Sequence, residues 1–144
     1  MAKKLATRAR PYQVFLSHAT TDKWIAKTLC EKIEHAHPNA KTFRDDRDID
    51  GGDDIPERIR VEIKNSKELV VLLTPESAKS LWVPLEVGAA WGWSQKMRIT
   101  VVMCHVDVDP IPGMLKSKKA ININALDDYL SELGSRVRKH NGQE

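Results

Sequence analysis

The sequence is poor in cysteine and has no long apolar run, and these two features exclude several classes of protein. Its two cysteines, Cys30 and Cys104, lie far apart and form no CxxC or Cys/His ligand spacing, so neither a disulfide framework nor a zinc site is predicted. No apolar stretch approaches the length of a membrane span. The start "MAKKLATRAR" is basic like a signal peptide, but no apolar h-region or cleavage site follows before Pro11. We therefore expect a cytoplasmic protein with buried thiols and no membrane partner.

Aromatic residues are also scarce, at 6% of the chain, and none is interleaved with the basic residues of the two ends. The formal net charge of +3 comes largely from "KKLATRAR" and "RVRKH". Without stacking residues, such tracts favour solvated tails over a nucleic-acid interface, so no nucleic-acid partner is expected. Hydrophobic residues make up 41% and charged residues 30% of the 144 residues, a balance typical of one globular domain whose core needs no metal.

Short apolar runs alternate with amphipathic segments along the chain. "YQVFLS", "KTFR", "KELVVLLTP", "RITVVMCHV" and "AININ" have the composition of strands, and the third and fourth are nearly continuous, as in strands covered on both faces. Between them lie helical periodicities, the first preceded by Asp22 as a candidate cap. No repeat or linker interrupts the pattern. We predict a basic tail at residues 1–11, one domain at 12–140 and a short tail at 141–144.

Strands and helices that alternate with short connections predict an α/β fold, a flavodoxin-like five-stranded parallel sheet flanked by helices. Ligands of such open sheets bind beyond the carboxyl ends of the strands, near the point where the strand order reverses. This rule selects Ser17 and His18 after the first strand, residues 44–46 after the second, and Thr74 and Pro75 after the third.

One acidic segment, "DRDIDGGDDIPE" at residues 46–57, matches the calcium-loop signature of EF-hands. The match fails in context, because a strand rather than a helix leads into Asp46 and no second loop of this kind exists in the chain. Pro56 also stiffens the backbone beside the carboxylate that would bind bidentately. We expect no metal site. A connecting loop in which Asp53 or Asp54 caps the next helix is the simpler structural interpretation.

Three motifs together resemble the Toll/interleukin receptor (TIR) domain family, over nearly the whole chain from Tyr12 to about His140. "YQVFLSH" is similar to the family's first-strand box, "TFRDDRDIDGGDDI" to its second box and BB loop, and "WVPLE" to the W-x-x-x-E motif of the helix after the third strand. Each motif is weak alone, but their order makes the combination specific. The bacterial and plant branches are the more similar ones, because the Trp and Glu pair is retained.

The resemblance implies that the protein cleaves NAD at the bond between nicotinamide and ribose, giving nicotinamide and ADP-ribose or a cyclised or branched variant. NAD is then a substrate, no cofactor is needed, and the family's essential glutamate falls on Glu86. Departure of nicotinamide neutralises a cationic pyridinium, so one carboxylate that stabilises the oxocarbenium-like ribosyl centre is a sufficient apparatus. Trp82 lies four residues before Glu86, on the same helix face, and would add an apolar wall.

Other positions carry over from the same boxes. The resemblance implies that Ser17 and His18 line the nicotinamide side of the pocket and that Asp45 and Asp46 are the family's acidic positions after the second strand. Arg44 could meet the pyrophosphate, although a salt bridge to its aspartate neighbours explains it equally well.

The BB loop implies a further role in homotypic self-association with other TIR domains, since a neighbouring subunit's BB loop often completes the family's active site. Asp48 lies at the start of this loop, Gly51 and Gly52 are permissive hinge residues, and Ile55 and Pro56 lead into the next helix.

Two rival functions share the expected fold. A receiver-type phosphotransfer module needs acidic residues after the first strand and an aspartate after the third, where this chain has Ser17, His18, Thr74 and Pro75. A non-catalytic TIR interaction module stays open, because fold alone does not separate binding from catalysis. The retained Glu86 favours an NAD-cleaving enzyme of immune defence or cell-death signalling.

Overall fold

The structure, a computed structural model, describes residues 11–44, 57–77, 88, 97–106 and 119–142. Five strands lie in this part of the chain: β1 (Tyr12–Ser17), β2 (Ala40–Arg44), β3 (Glu68–Leu73), β4 (Arg98–Met103) and β5 (Lys119–Asn122). The helices of two turns or more among the described residues are α1 (Lys23–Ala36), α2 (Glu57–Asn65) and α3 (Leu126–His140). Short 3-10 turns at Thr20–Asp22 and Ile123–Ala125 lead into α1 and α3.

The strands form one sheet in the order β2-β1-β3-β4-β5, and all four pairings are parallel. This confirms the predicted flavodoxin-like α/β arrangement. The chain leaves β1 for β2 on one side of it and then crosses to β3 on the other side, so the strand order reverses between β1 and β3. The carboxyl ends of these two central strands therefore flank the place where such sheets bind ligands.

Alternate residues of the strands enter two separate cores, because successive side chains of a strand point to opposite faces. One core packs strand residues such as Val14, Leu16 and Leu72 against α1 and α3, which contribute Leu29 and Leu133. The other core packs strand residues against α2 and contains Phe15, Leu69, Val71, Ile59 and Ile63. Helices on both faces explain why β1, β3 and β4 contain continuous apolar runs rather than an alternation of apolar and polar residues.

Helices α2 and α3 have the charged ends that their dipoles favour. Helix α3 begins with Asp127 and Asp128 in its first turn and ends with Arg138, Lys139 and His140 in its last turn, an arrangement that stabilises both termini. None of the helices in the described ranges is long and apolar enough to cross a lipid bilayer.

Candidate active site at the carboxyl edge of the sheet

Ser17 and His18 lie at the carboxyl end of β1, where the sequence predicts them, and both side chains are buried, with 0% and 1% exposure. The Nδ1 atom of His18 lies 2.7 Å from the carbonyl oxygen of Ala19. A carbonyl only accepts hydrogen bonds, so Nδ1 carries a proton and donates it. In the neutral ring this leaves Nε2 as the acceptor nitrogen. The fold thus fixes both the tautomer and the direction of this imidazole.

The segment after β3 forms a closed pair of hydrogen bonds. The amide of Thr74 donates to Ser77 Oγ at 2.8 Å, and the amide of Ser77 donates to Thr74 Oγ1 at 3.0 Å. Both side chains are buried, at 4% and 3% exposure. This reciprocal pairing is the hydroxyl equivalent of a side-chain turn, and it fixes the first residues of the chain segment that continues toward Glu86.

Asp22 connects the two segments across the switch point. The Thr74 hydroxyl donates to Asp22 Oδ2 at 2.5 Å, a short bond of the kind that a charged acceptor strengthens. The amide of Asp22 also donates to Ala19 O at 2.9 Å, the carbonyl that accepts the His18 proton. We call the residues His18, Ala19, Asp22, Thr74 and Ser77 the switch-point bridge, because their hydrogen bonds join the exits of β1 and β3.

The predicted capping role of Asp22 is wrong. Asp22 occupies the position before the first residue of α1, but its side chain makes no hydrogen bond to the amides of that helix. Its carboxylate bonds to Thr74 instead. The sequence does not distinguish the two roles, because an aspartate just before a helix can either cap that helix or bond to a residue far along the chain.

Arg44 ends β2, on the same edge of the sheet as Ser17 and His18. Its register partner in β1 is Leu16, so Arg44 lies one strand away from the switch point. The side chain is half-buried. Its expected contact with the pyrophosphate of NAD stays a prediction.

The remaining predicted site positions lie outside the described residues. For the substrate pocket they are Asp45, Asp46, Trp82 and Glu86. For the BB loop they are Asp48, Gly51, Gly52, Ile55 and Pro56. The described structure therefore brings together Ser17, His18 and the exit of β3, and the family motifs alone assign the other members of the site.

The cysteines are unsuited to act as nucleophiles. Both Cys30 and Cys104 are buried and unpaired, as predicted. Burial raises the pKa of both thiols, and the negative charge of Asp22 adds to the effect at Cys104. A raised thiol pKa lowers the fraction of the reactive thiolate. Covalent catalysis by cysteine is therefore not a chemistry that this arrangement supports.

A cavity of about 330 Å³ lies beside α1 rather than at the predicted nicotinamide wall. Its lining includes Trp24, Leu29, Cys104, Ile123 and Leu126. Trp24 borders this cavity with 76% of its surface exposed, an unusual state for the largest apolar side chain. Its lining also includes the polar residues Thr28, Lys32, Asn124 and Asp127, and the exposed Trp24 at its border suits a contact surface.

Sequence reasoning found Thr74 through the rule on strand ends but missed its partners. A signal for Ser77 was present, since Thr and Ser three residues apart after a strand can close a side-chain turn. For Asp22 the sequence carries no equivalent signal. Its bond to Thr74 depends on β1 and β3 being neighbours, which follows only from the strand order. Within the residues that the structure describes, no group of three His, Cys, Asp or Glu side chains could hold a metal ion.

Comparison with known proteins agrees with this architecture. The family model for the TIR domain matches residues 14–134. No curated protein matched the chain significantly.

Among solved structures, the TIR domain of the Toll-related receptor TRR-2 from Hydra magnipapillata superposes with a TM-score of 0.63. It is 23% identical, over 88% of this chain and 98% of the other. The TIR domains of the activated Roq1 resistosome, which directly recognises the pathogen effector XopQ, give a TM-score of 0.55 and 21% identity, over 92% of this chain and 85% of the other.

A flavoprotein shares the same fold. The diflavin flavoprotein A3 from Nostoc sp. superposes with a TM-score of 0.59 and 12% identity, over 90% of this chain and 96% of the other. Likeness at these identities concerns the fold, whereas the family model covers most of the sequence. With its parallel sheet, its switch point and the match over residues 14–134, the chain belongs to the TIR domain family.

Proposed function

We propose that this protein is an NAD glycohydrolase that cleaves the bond between nicotinamide and ribose and acts in immune defence or cell-death signalling. One observation carries the proposal: within a chain of the TIR family, Ser17 and His18 lie buried and oriented at the switch point, and the sequence retains Glu86 in "WVPLE". The products would be nicotinamide and ADP-ribose or a cyclised or branched form of it. The proposal includes the cytoplasm as the site of action.

The proposed chemistry needs little apparatus. Cleavage releases neutral nicotinamide, so no general acid has to protonate the leaving group. The positive ribosyl centre that remains is captured by water, or by a nucleophilic atom of the same nucleotide in the cyclised form, with loss of a proton. Glu86 would stabilise that centre and hold the ribose hydroxyls. His18 and Ser17 would bound the nicotinamide side, and Asp45, Asp46 and Trp82 would complete the pocket. Arg44 would meet the pyrophosphate, where a guanidinium can bind two phosphate oxygens at once.

The test is to incubate the pure protein, concentrated to promote assembly, with NAD and to separate the products chromatographically. Wild type should release nicotinamide, and Glu86→Gln should lose about a hundredfold or more in rate, the usual effect of removing a group that stabilises transition-state charge. Glu31→Gln is the matched control, because Glu31 is an exposed glutamate of α1 and its substitution should leave turnover unchanged. Intact NAD with wild type, or equal turnover by the Glu86 variant, would reject the proposal.

A second function is favoured by a separate observation. Trp24 stands 76% exposed beside the cavity of α1, and exposed large apolar groups mark interaction sites. The protein would then be a non-catalytic module that binds other TIR domains, with the BB loop residues Asp48, Gly51, Gly52, Ile55 and Pro56 as part of the docking surface. The two functions separate cleanly: a concentration-dependent rise in mass by light scattering without release of nicotinamide would favour the module over the enzyme.

A further inference from the structure

The switch-point bridge links the segment after β1 to the segment after β3, which are far apart along the chain. His18 and Asp22 both donate to the carbonyl of Ala19, His18 through Nδ1 at 2.7 Å and Asp22 through its amide at 2.9 Å. The carboxylate of Asp22 then accepts the proton of Thr74 at 2.5 Å. The imidazole at the exit of β1 is thereby connected to the exit of β3 through four hydrogen-bonding groups, all on one edge of the sheet.

The carboxylate of Asp22 has a local alternative that it does not use. At the position before α1, an aspartate would ordinarily accept a hydrogen bond from an amide of the first helical turn. The side chain makes no such bond. The first turn of α1 also contains no acidic residue that could replace the cap. The carboxylate is thus committed to the link with β3 at the expense of its own helix.

The turn after β3 does not need Asp22 for its own closure. Thr74 and Ser77 already satisfy each other through two amide-to-hydroxyl bonds, and Ser77 Oγ also lies 3.3 Å from the Thr74 carbonyl oxygen. The bond from Thr74 to Asp22 is additional to this closed turn. Its effect is to fix the distance between the two loops that flank the switch point.

We infer that Asp22 and Thr74 are positioning residues of the nicotinamide pocket, which hold His18 in one orientation by tying the exit of β1 to that of β3. The inference rests on the proposed function for the identity of the ligand. Neither residue is required to touch NAD. They act through His18, whose ring is buried and whose Nδ1 proton is directed at Ala19. A displaced pocket wall weakens a contact made by the bound substrate and so lowers kcat/KM through KM.

A purely structural role would give different kinetics from a positioning role. If the bridge only stabilised the fold, its loss would reduce the amount of active protein, which lowers the apparent kcat and leaves KM unchanged. If it places a wall of the nicotinamide pocket, its loss weakens a contact made by the bound substrate, which raises KM. The two roles can therefore be told apart in a sample whose folded fraction is known.

The experiment compares Thr74→Val, which removes the hydroxyl at nearly constant volume, with Thr74→Ser, which keeps it. We expect Thr74→Val to raise KM for NAD about tenfold or more, at a kcat within about twofold of wild type when normalised to folded protein. Thr74→Ser should restore the wild-type KM. Asp22→Ala, which removes the bond to Thr74 but leaves the bond from the Ser77 amide to the Thr74 hydroxyl, should also raise KM. Combined with Thr74→Val it should raise KM no more than Thr74→Val alone, since that change already removes the bond between the two loops.

Thr42→Val is the matched control, because the Thr42 hydroxyl also donates to a carboxylate, that of Glu34 at 2.6 Å, but joins β2 to α1 away from the switch point. Its KM should equal that of wild type. An unchanged KM in Thr74→Val, or an equal rise in Thr42→Val, would overturn the inference.

A second measurement keeps the outcome separate from that of the proposed function. Nuclear magnetic resonance of the His18 ring reports which nitrogen carries the proton. Wild type should show the Nδ1-protonated tautomer, and Thr74→Val should show a mixture of both. If wild type leaves NAD intact, the proposed function fails, and with it the nicotinamide pocket. The tautomer still decides whether the bridge orients His18, and an identical tautomer in both proteins would refute that orientation.

Discussion

At the scale of single residues, Gly134 is the position where the packing of α1 and α3 leaves no room for a side chain. A Cβ atom placed there would lie 2.6 Å from Cε1 and 3.3 Å from Nε2 of His37. The His37 ring cannot easily move away, because its Nε2 lies 2.7 Å from the carbonyl oxygen of Leu130, to which it donates. His37 is therefore a packing residue that joins the two helices.

Gly134→Ala should destabilise the protein, although the same change in most helices is favourable. An alanine normally gains about 1 kcal/mol over glycine inside a helix, whereas forcing extra volume into a filled contact costs about 1–3 kcal/mol. We expect a net loss in the free energy of unfolding, measured by urea denaturation. Ser131→Ala, at an exposed position of the same helix, should be neutral or stabilising. A Gly134→Ala protein as stable as wild type would show that His37 yields without cost.

At the scale of elements, a buried cluster at the amino end of the sheet ties β1, β3 and α3 together. Glu68, fully buried at the start of β3, accepts hydrogen bonds from the hydroxyls of Tyr12 at 2.5 Å and Tyr129 at 3.0 Å. Arg136 contributes two further bonds, from Nε and from Nη2. A buried carboxylate is tolerated only with such partners, since an unpaired charge in the interior is very costly.

Arg136→Met should therefore be severely destabilising, by about 3–5 kcal/mol, because it leaves the buried charge of Glu68 without its counter-charge. The double variant Glu68→Gln with Arg136→Met should recover part of that loss, since no uncompensated charge remains. Chemical denaturation of the single and double variants measures both effects. Arg138→Met is a suitable control, as Arg138 is exposed in the same helix. A double variant less stable than Arg136→Met would argue against charge burial as the cause.

The same elements show how far the sequence predicts the structure. All five strands were predicted, and the three central ones most clearly, because the burial of β1, β3 and β4 leaves continuous apolar runs. The hydrogen-bond partners of Glu68 were not predicted. Tyr129 and Arg136 lie 61 and 68 residues away along the chain, and only the packing of α3 against the sheet brings them close to Glu68. Likewise, Ser17, His18 and Thr74 follow from the rule on strand ends, whereas the tie between Asp22 and Thr74 needs the strand order.

At the scale of the whole molecule, the buried cluster makes the free energy of unfolding decrease at alkaline pH. Burial raises the pKa of Tyr12, and the hydrogen bond to Glu68 raises it further. Burial likewise raises the pKa of Tyr129, followed by the charge of Glu68. Both hydroxyls stay protonated in the folded protein above about pH 10, where tyrosines of an unfolded chain lose their protons. The folded state then binds more protons than the unfolded state, so stability is complete below about pH 10 and falls as pH rises further.

We expect the folded protein to form almost no tyrosinate until it unfolds, and its melting temperature to drop steeply above about pH 10. The chain has two tyrosines in all, so ultraviolet absorbance of tyrosinate reports these two side chains alone. Its appearance should coincide with loss of the circular dichroism of the fold. The unfolded chain in denaturant is the control and should titrate near pH 10. A folded protein that titrates there as well would contradict the expected burial.

The position of Glu68 also has a consequence for how the chain is made. A ribosome releases β1 first, yet β1 is a central strand whose neighbour β3 follows after β2 and α2. Even with β3 in place, Glu68 lacks Tyr129 and Arg136 until α3 has left the exit tunnel. A nascent chain that formed its sheet before α3 was available would bury the charge of Glu68 without Arg136 beside it. We therefore expect nearly the whole domain to be synthesised before it folds stably, with its apolar strands open to aggregation until then.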